Sequence, residues 1–213
     1  MNEMNTINTW ENVKGKIFLR LTNYDRNRSD IEKKVYVKFL DLAILLYCDC
    51  KEWGFEGFYV NKKQLLVWNQ SIKNIFMAAL ENTFYRDNTL VTHITNLLPP
   101  NLIHSEEDEA DIADMENLML VLSNKAVHFG AAMLLNLHEL KKLADRLDSD
   151  LYLLPSSVHE ILAVRTDQHE DVSFLTDAVN AVNYYEVKPE DYLSDNVYYF
   201  DREKCEVTIA VPA

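Results

Sequence analysis

Leu147-Asp-Ser-Asp-Leu-Tyr-Leu-Leu-Pro-Ser-Ser-Val-His-Glu-Ile-Leu-Ala-Val164 is the stretch on which the fold turns. Leu147 closes an amphipathic stripe that starts at Leu137 and passes through Leu140 and Ala144, so a helix runs through 137–147. Asp150 to Leu154 and Glu160 to Arg165 have strand composition, and Pro155-Ser-Ser-Val158 between them is turn chemistry. By period two, Leu151, Leu153, Ile161 and Ala163 fall on one face of the resulting hairpin.

Working outward, helices and strands alternate to both termini. Ile17, Leu19 and Leu21 alternate as one strand face requires, and the charged run Asp25 to Lys34 suits a short helix. Leu42 to Cys50 reads as a buried strand, Gly54 and Gly57 mark a turn, and Phe58 to Val60 is the return strand. Asn61 with Gln64 forms a box-like helix start, and Ser71 caps a second helix with Ile72, Ile75, Phe76, Ala79 and Leu80 at helical spacing. Leu118 to Leu122 is a strand, and Gly130 to Leu135 is a candidate for another. Asp171 caps a helix with Val172, Leu175, Ala178, Val179 and Val182 on one face, and Pro189 fits the first turn of a short helix. Val197 to Phe200 and Glu206 to Val211 close the chain as a hairpin. With no linker and no repeat, the expectation is an α+β fold: a mixed β-sheet with helices packed on it, in a single compact domain over 1–213.

Charge and composition narrow the function classes. Against 21 Lys and Arg stand 34 Asp and Glu, a net charge of −13. That discourages direct contact with nucleic acid or an anionic membrane; it serves solubility, and it permits a basic partner. Three cysteines, Cys48, Cys50 and Cys205, make a disulfide framework a poor fit and a reducing compartment a good one. The N-terminus has no basic and apolar leader pattern, and the most apolar run, Phe39 to Cys48, contains Asp41 and is too short to span a bilayer. A cytoplasmic protein is expected.

The pieces Phe39-Leu-Asp-Leu-Ala, Ala79-Leu-Glu-Asn-Thr83, Leu151-Tyr-Leu-Leu-Pro-Ser-Ser-Val-His-Glu160 and Leu193-Ser-Asp-Asn-Val-Tyr-Tyr-Phe-Asp201 occur in this order. Together they resemble the DUF5688 family over nearly the whole chain, its closing motifs being the most specific. A more distant likeness, through Trp68, Ala79 to Asn82 and Pro155-Ser-Ser, is to the DUF1444 family. The first resemblance implies a bacterial protein of Firmicutes and their mobile elements. Neither family carries an assigned reaction, so the resemblance assigns no catalytic residue. Val127-His-Phe-Gly130 departs from the pattern, standing where a smaller, glycine-containing turn is expected.

Each constellation has a bland alternative. Ser156, Ser157 and His159 lie in the hairpin turn with Glu160 beside them, which opens a small-hydrolase reading. Adjacent residues of a strand point to opposite faces, so local spacing assembles no triad. Cys48 and Cys50 lack the second pair a structural zinc site needs, and read as buried thiols. After His138-Glu139 and His159-Glu160, Lys142 and Ala163 replace the second histidine of a zincin helix. Neither a metal nor a cofactor is implied. Glu106 to Glu116 carries seven acids and no base, which suits a solvated face, a weak divalent-cation site without EF-hand spacing, or a surface for a basic partner. In the last reading Glu106, Glu107, Asp108, Glu109 and Asp111 are the candidate binding residues. The reading that follows is a non-catalytic acidic module that binds a protein, with the inhibition of a nucleic-acid-binding defence enzyme, in the manner of an anti-CRISPR protein, as its sharpest form. Oligomeric state and partner identity leave no signal in the sequence.

Overall fold

In the computed structural model, residues 7–86, 89–97, 119–168 and 171–211 are described, and the chain divides into two compact units, Met1–Asn88 and Thr89–Ala213. The fold class is α+β, as expected. The strands are shared between two sheets, and every strand pairing among the described residues is antiparallel.

The first unit is built on β3 (Leu42–Cys48), which pairs with β1 (Ile17–Asn23) along one edge. Along the other edge lie β2 (Tyr36–Phe39) and then β4 (Phe58–Tyr59). Both faces of β3 are covered, which is why its sequence reads as an unbroken apolar run. Helix α2 (Tyr24–Ile31) brings Ile31 onto Ala43 and Leu45. A short helix, α1 (Trp10–Val13), precedes β1. Helix α3 (Lys62–Trp68) starts with the expected capping box: Asn61 Oδ1 accepts from Lys63 N–H (2.8 Å), and Gln64 Oε1 accepts from Asn61 N–H (3.2 Å). Helix α4 (Ile72–Glu81), capped by Ser71, buries Ile75 and Ala79 and packs on β1. Asn82 and Thr83, in the π-helical turn that follows, tie this helix to β1. Asn82 Nδ2 donates to the carbonyls of Lys14 (2.7 Å) and Ile17 (2.8 Å), and Thr83 Oγ1 accepts from Leu19 N–H (2.9 Å).

The second unit holds a six-stranded sheet in the order β10-β9-β7-β8-β6-β5. Its strands are β5 (Thr89–His93), β6 (Leu120–Asn124), β7 (Leu151–Leu154), β8 (Ile161–Arg165), β9 (Tyr198–Asp201) and β10 (Glu206–Ile209). The central hairpin is as expected: Leu153 lies opposite Ala163, and Leu151, Leu153, Ile161 and Ala163 share a face and are at most 1% exposed. Its loop is longer than four residues, because β8 begins only at Ile161. Helix α5 (Leu137–Leu147) buries Leu140, Leu143 and Ala144. Helix α6 (Val172–Tyr185), capped by Asp171, covers the opposite face, where Val172, Leu175 and Val179 meet Leu154 and Val164.

Three local expectations are corrected. Residues Gly130–Leu135 form a 3₁₀ helix rather than a strand. Gly130-Ala-Ala has almost no side-chain bulk, so the segment nests against β6 and β8, with Ala131 N–H donating to the Val158 carbonyl (3.2 Å) and no sheet edge to join. Pro189 starts a turn instead of a helix. The chain there is drawn onto the hairpin loop, Val158 N–H donating to the Asp191 carbonyl (2.8 Å) while Leu193 is fully buried. On α6, Ala178 and Val182 are exposed, because the sheet takes only the narrower stripe Val172, Leu175 and Val179.

Candidate functional site

The candidate binding residues Glu106, Glu107, Asp108, Glu109 and Asp111 lie outside the described residues. What the structure describes is the hairpin loop that carries Ser156, Ser157 and His159, and an acidic cleft at the opposite end of the same hairpin.

The loop is organised around the His159 ring. Phe129 N–H donates to Nδ1 (3.0 Å), which fixes that nitrogen as the unprotonated one. Nε2 lies 3.1 Å from Asp191 Oδ1 and is therefore the donor to it. His128 stacks on the imidazole with ring centroids 5.2 Å apart, and the Phe129 ring leans on it at 5.3 Å. The backbone of the same residue is held as well: its N–H donates to Ser157 Oγ (3.0 Å), and its carbonyl accepts from Ser123 Oγ (2.8 Å). Ser156 Oγ donates to Glu160 Oε1 (3.1 Å). Catalysis by a serine needs the imidazole as its base. Here both ring nitrogens are engaged with other groups, and each serine hydroxyl has a partner that is not the ring. The chemistry of this arrangement is that of a fastening: one side chain joins the hairpin loop, the 127–130 segment and the 188–191 turn. The partner Asp191 is distant in sequence, and local spacing carries no sign of it. Accordingly, His159→Ala is expected to lower the unfolding free energy by about 2 kcal/mol, two hydrogen bonds being lost. Ser156→Ala should stay within about 0.5 kcal/mol of the parent. Urea unfolding of the two variants checks both, and an unchanged midpoint for His159→Ala defeats the fastening.

At the other end of the hairpin, Asp148, Asp150, Asp167, Asp201 and Glu203 line an open cleft of about 460 Å³, with Arg202 among them. Asp150 is its structural hub, accepting from Tyr199 Oη (2.6 Å) and Arg202 N–H (2.8 Å). Burial, and then the hydrogen bond to Asp150, push the Tyr199 hydroxyl up, so it remains a donor. Arg202 reaches Asp148 (2.5 Å) and Asp145 (3.3 Å). The Arg165 guanidinium forks onto Asp167 (2.9 and 2.5 Å) and holds its carboxyl below the usual range, as Lys204 does for Asp201. A depressed folded-state value means that the stabilisation is fully present above the unfolded carboxylate range, about pH 4, and is lost as pH falls through the lower folded values. The Tm difference between wild type and Asp167→Asn should thus be steady from pH 7 to about pH 4 and shrink below it. A difference that grows below about pH 4 is incompatible with this pair.

Cys48 and Cys50 are fully buried with their sulfurs 4.0 Å apart. Burial raises both thiols, which keeps them protonated at neutral pH and poor as metal ligands. Among the described residues, no group of three or more His, Cys, Asp and Glu side chains is placed to hold a metal ion. No described helix is long and apolar enough to cross a membrane.

The fold and these two ends of one hairpin define an α+β protein with two antiparallel sheets, whose described hairpin-loop residues act mainly on one another. The chain belongs to DUF5688, a family of unknown function, whose sequence profile matches residues 1–202. No match is found among curated proteins or among solved structures.

Proposed function

We propose that the protein is a non-catalytic, acidic interaction module of the bacterial cytoplasm whose partner is a basic protein. In its most specific form, the partner is a nucleic-acid-binding defence enzyme, and the module, carried by a mobile element, inhibits it as an anti-CRISPR protein does. The observation that supports this reading is the distribution of charge. Of the acids behind the net charge of −13, seven fall in Glu106 to Glu116 with no base among them. An acidic run of this kind speeds encounter with a basic site that otherwise holds phosphates. The engagement of both His159 nitrogens supports a role without a serine nucleophile at this loop.

The test starts from a partner captured from a bacterial lysate. Replacing Glu106, Glu107, Asp108 and Glu109 by Lys is expected to weaken its binding by about tenfold or more, mainly through a slower association rate. Raising salt above about 0.15 M, where the Debye length is ~8 Å, should weaken the wild-type complex and affect the reversed variant little. Binding that ignores both salt and the four-site reversal removes this surface from consideration.

A further inference from the structure

Helix α6 carries a second apolar stripe, on its side away from the sheet of its own unit. Phe174, Ala178, Ala181 and Tyr185 recur at intervals of four, three and four residues, and all are exposed. Phe174 is 68% and Tyr185 77% exposed, Val182 flanks the line at 42%, and Tyr184 packs edge-on against Tyr185 with ring centroids 4.8 Å apart. Single exposed apolar residues are ordinary on any surface. Aromatic residues lined up at seam spacing are what a helix presents to another helix.

The charges on the helix itself select its occupant. From residue 171 to 187 the acids are Asp171, Asp177 and Glu186, and there is no base. Asp171 is the helix cap, while Asp177 and Glu186, the residue after Tyr185, are exposed. A second copy would bring the same acids and no base along this helix. A segment with an apolar seam flanked by Lys and Arg satisfies both features at once. We propose that the outward face of α6 is the docking surface for a basic amphipathic helix of the partner. This rests on the reading that the partner is a basic protein, and adds α6 to its contacts.

The probe is a synthetic amphipathic helical peptide of about 18 residues, with Leu at i, i+3, i+4 and i+7 spacing and Lys elsewhere. The same peptide with Glu for Lys is the control, and binding to the full chain is followed by fluorescence anisotropy. The Lys peptide should bind and the Glu peptide should not. F174S/Y185S keeps the charge and alters exposed positions only; it should bind about tenfold more weakly, and so should D177K/E186K. Reversal of Glu106, Glu107, Asp108 and Glu109 should weaken this binding less than either α6 variant does. If both α6 variants bind as wild type while the four-site reversal abolishes binding, this surface is wrong and the acidic-run reading stands. If the Lys peptide binds no better than the Glu peptide, the basic-partner reading fails along with it. A dimer of the wild type in sedimentation that F174S/Y185S abolishes would give the stripe to a second copy. Capture by neutral phosphatidylcholine vesicles, lost in the same variant, would give it to a membrane. Either result overturns the proposal.

Discussion

Gly130→Ala is expected to lower the unfolding free energy by about 3 kcal/mol, the upper end of what overpacking costs in a tight interior. A Cβ at residue 130 would stand 2.0 Å from Ser123 Oγ, 2.5 Å from the His159 carbonyl oxygen and 2.8 Å from Asn124 N. Two of these three atoms are backbone, and the Ser123 hydroxyl is committed to that same carbonyl. Relief therefore requires β6 or the hairpin loop to move, and moving the loop disturbs the His159 fastening. Gly54→Ala is the informative comparison. No atom lies within 4 Å of its Cβ, but φ is +83°, so only the conformational term of about 1 kcal/mol applies. Urea unfolding of the two variants separates the effects. A Gly130→Ala protein as stable as Gly54→Ala would show that the 3₁₀ segment yields easily.

Asn82→Ala is expected to cost about 2–3 kcal/mol, because the buried Ile17 carbonyl and the partly buried Lys14 carbonyl lose their donor. Asn82 is 2% exposed, and its amide is the group that joins Lys14 and Ile17 to the end of α4. Thr83→Val serves as the graded control. It frees one backbone donor, Leu19 N–H, and removes the bond to the Ala79 carbonyl, so about 1–2 kcal/mol is expected. Beyond the global midpoint, hydrogen exchange at Leu19 should accelerate in both variants as β1 loosens from the helix. Full protection there in Asn82→Ala contradicts the assigned role.

These two sites show what local sequence can and cannot disclose. The strand β1, the capping box at Asn61 and the hairpin of β7 and β8 were legible because each follows from spacing within a few residues. The turn between β2 and β3 was not. It uses Leu40-Asp41, with Leu40 at φ 53°, in place of the usual glycine or asparagine signature. Strand β5 was passed over because Thr89 to His93 sits beside irregular sequence, and its partner β6 is distant in the chain. The segment 130–135 was misread because a uniformly apolar run has no period to distinguish strand from helix. The same limit governs the site. Serine and histidine were visible in the hairpin loop, whereas Phe129 and Asp191, which determine what the histidine does, are 30 and 32 residues away. The exposed stripe of α6 was hidden for a different reason: Ala178 and Val182 satisfy the helical spacing of the core face, and only the sheet decides which neighbours are admitted.

The left-handed backbone positions have a consequence for how this chain behaves when it is not folded. Among the described residues, Leu40, Asn69, Val127, Phe129, Asp148 and Cys205 adopt positive φ, against Gly54 alone among the glycines. Val127 and Phe129 occupy the stretch where a smaller, glycine-containing turn was expected. A β-branched residue such as valine is strained there, and strain of this type amounts to about 1–3 kcal/mol per residue. Yet a chain with only four glycines has fewer conformations open to it in the denatured ensemble. The strain in the native loops is thus offset by the comparatively small entropy the chain gains on unfolding. Loop softening by glycine, the usual route to local mobility, would act on both sides of the folding equilibrium in this protein, with opposite signs.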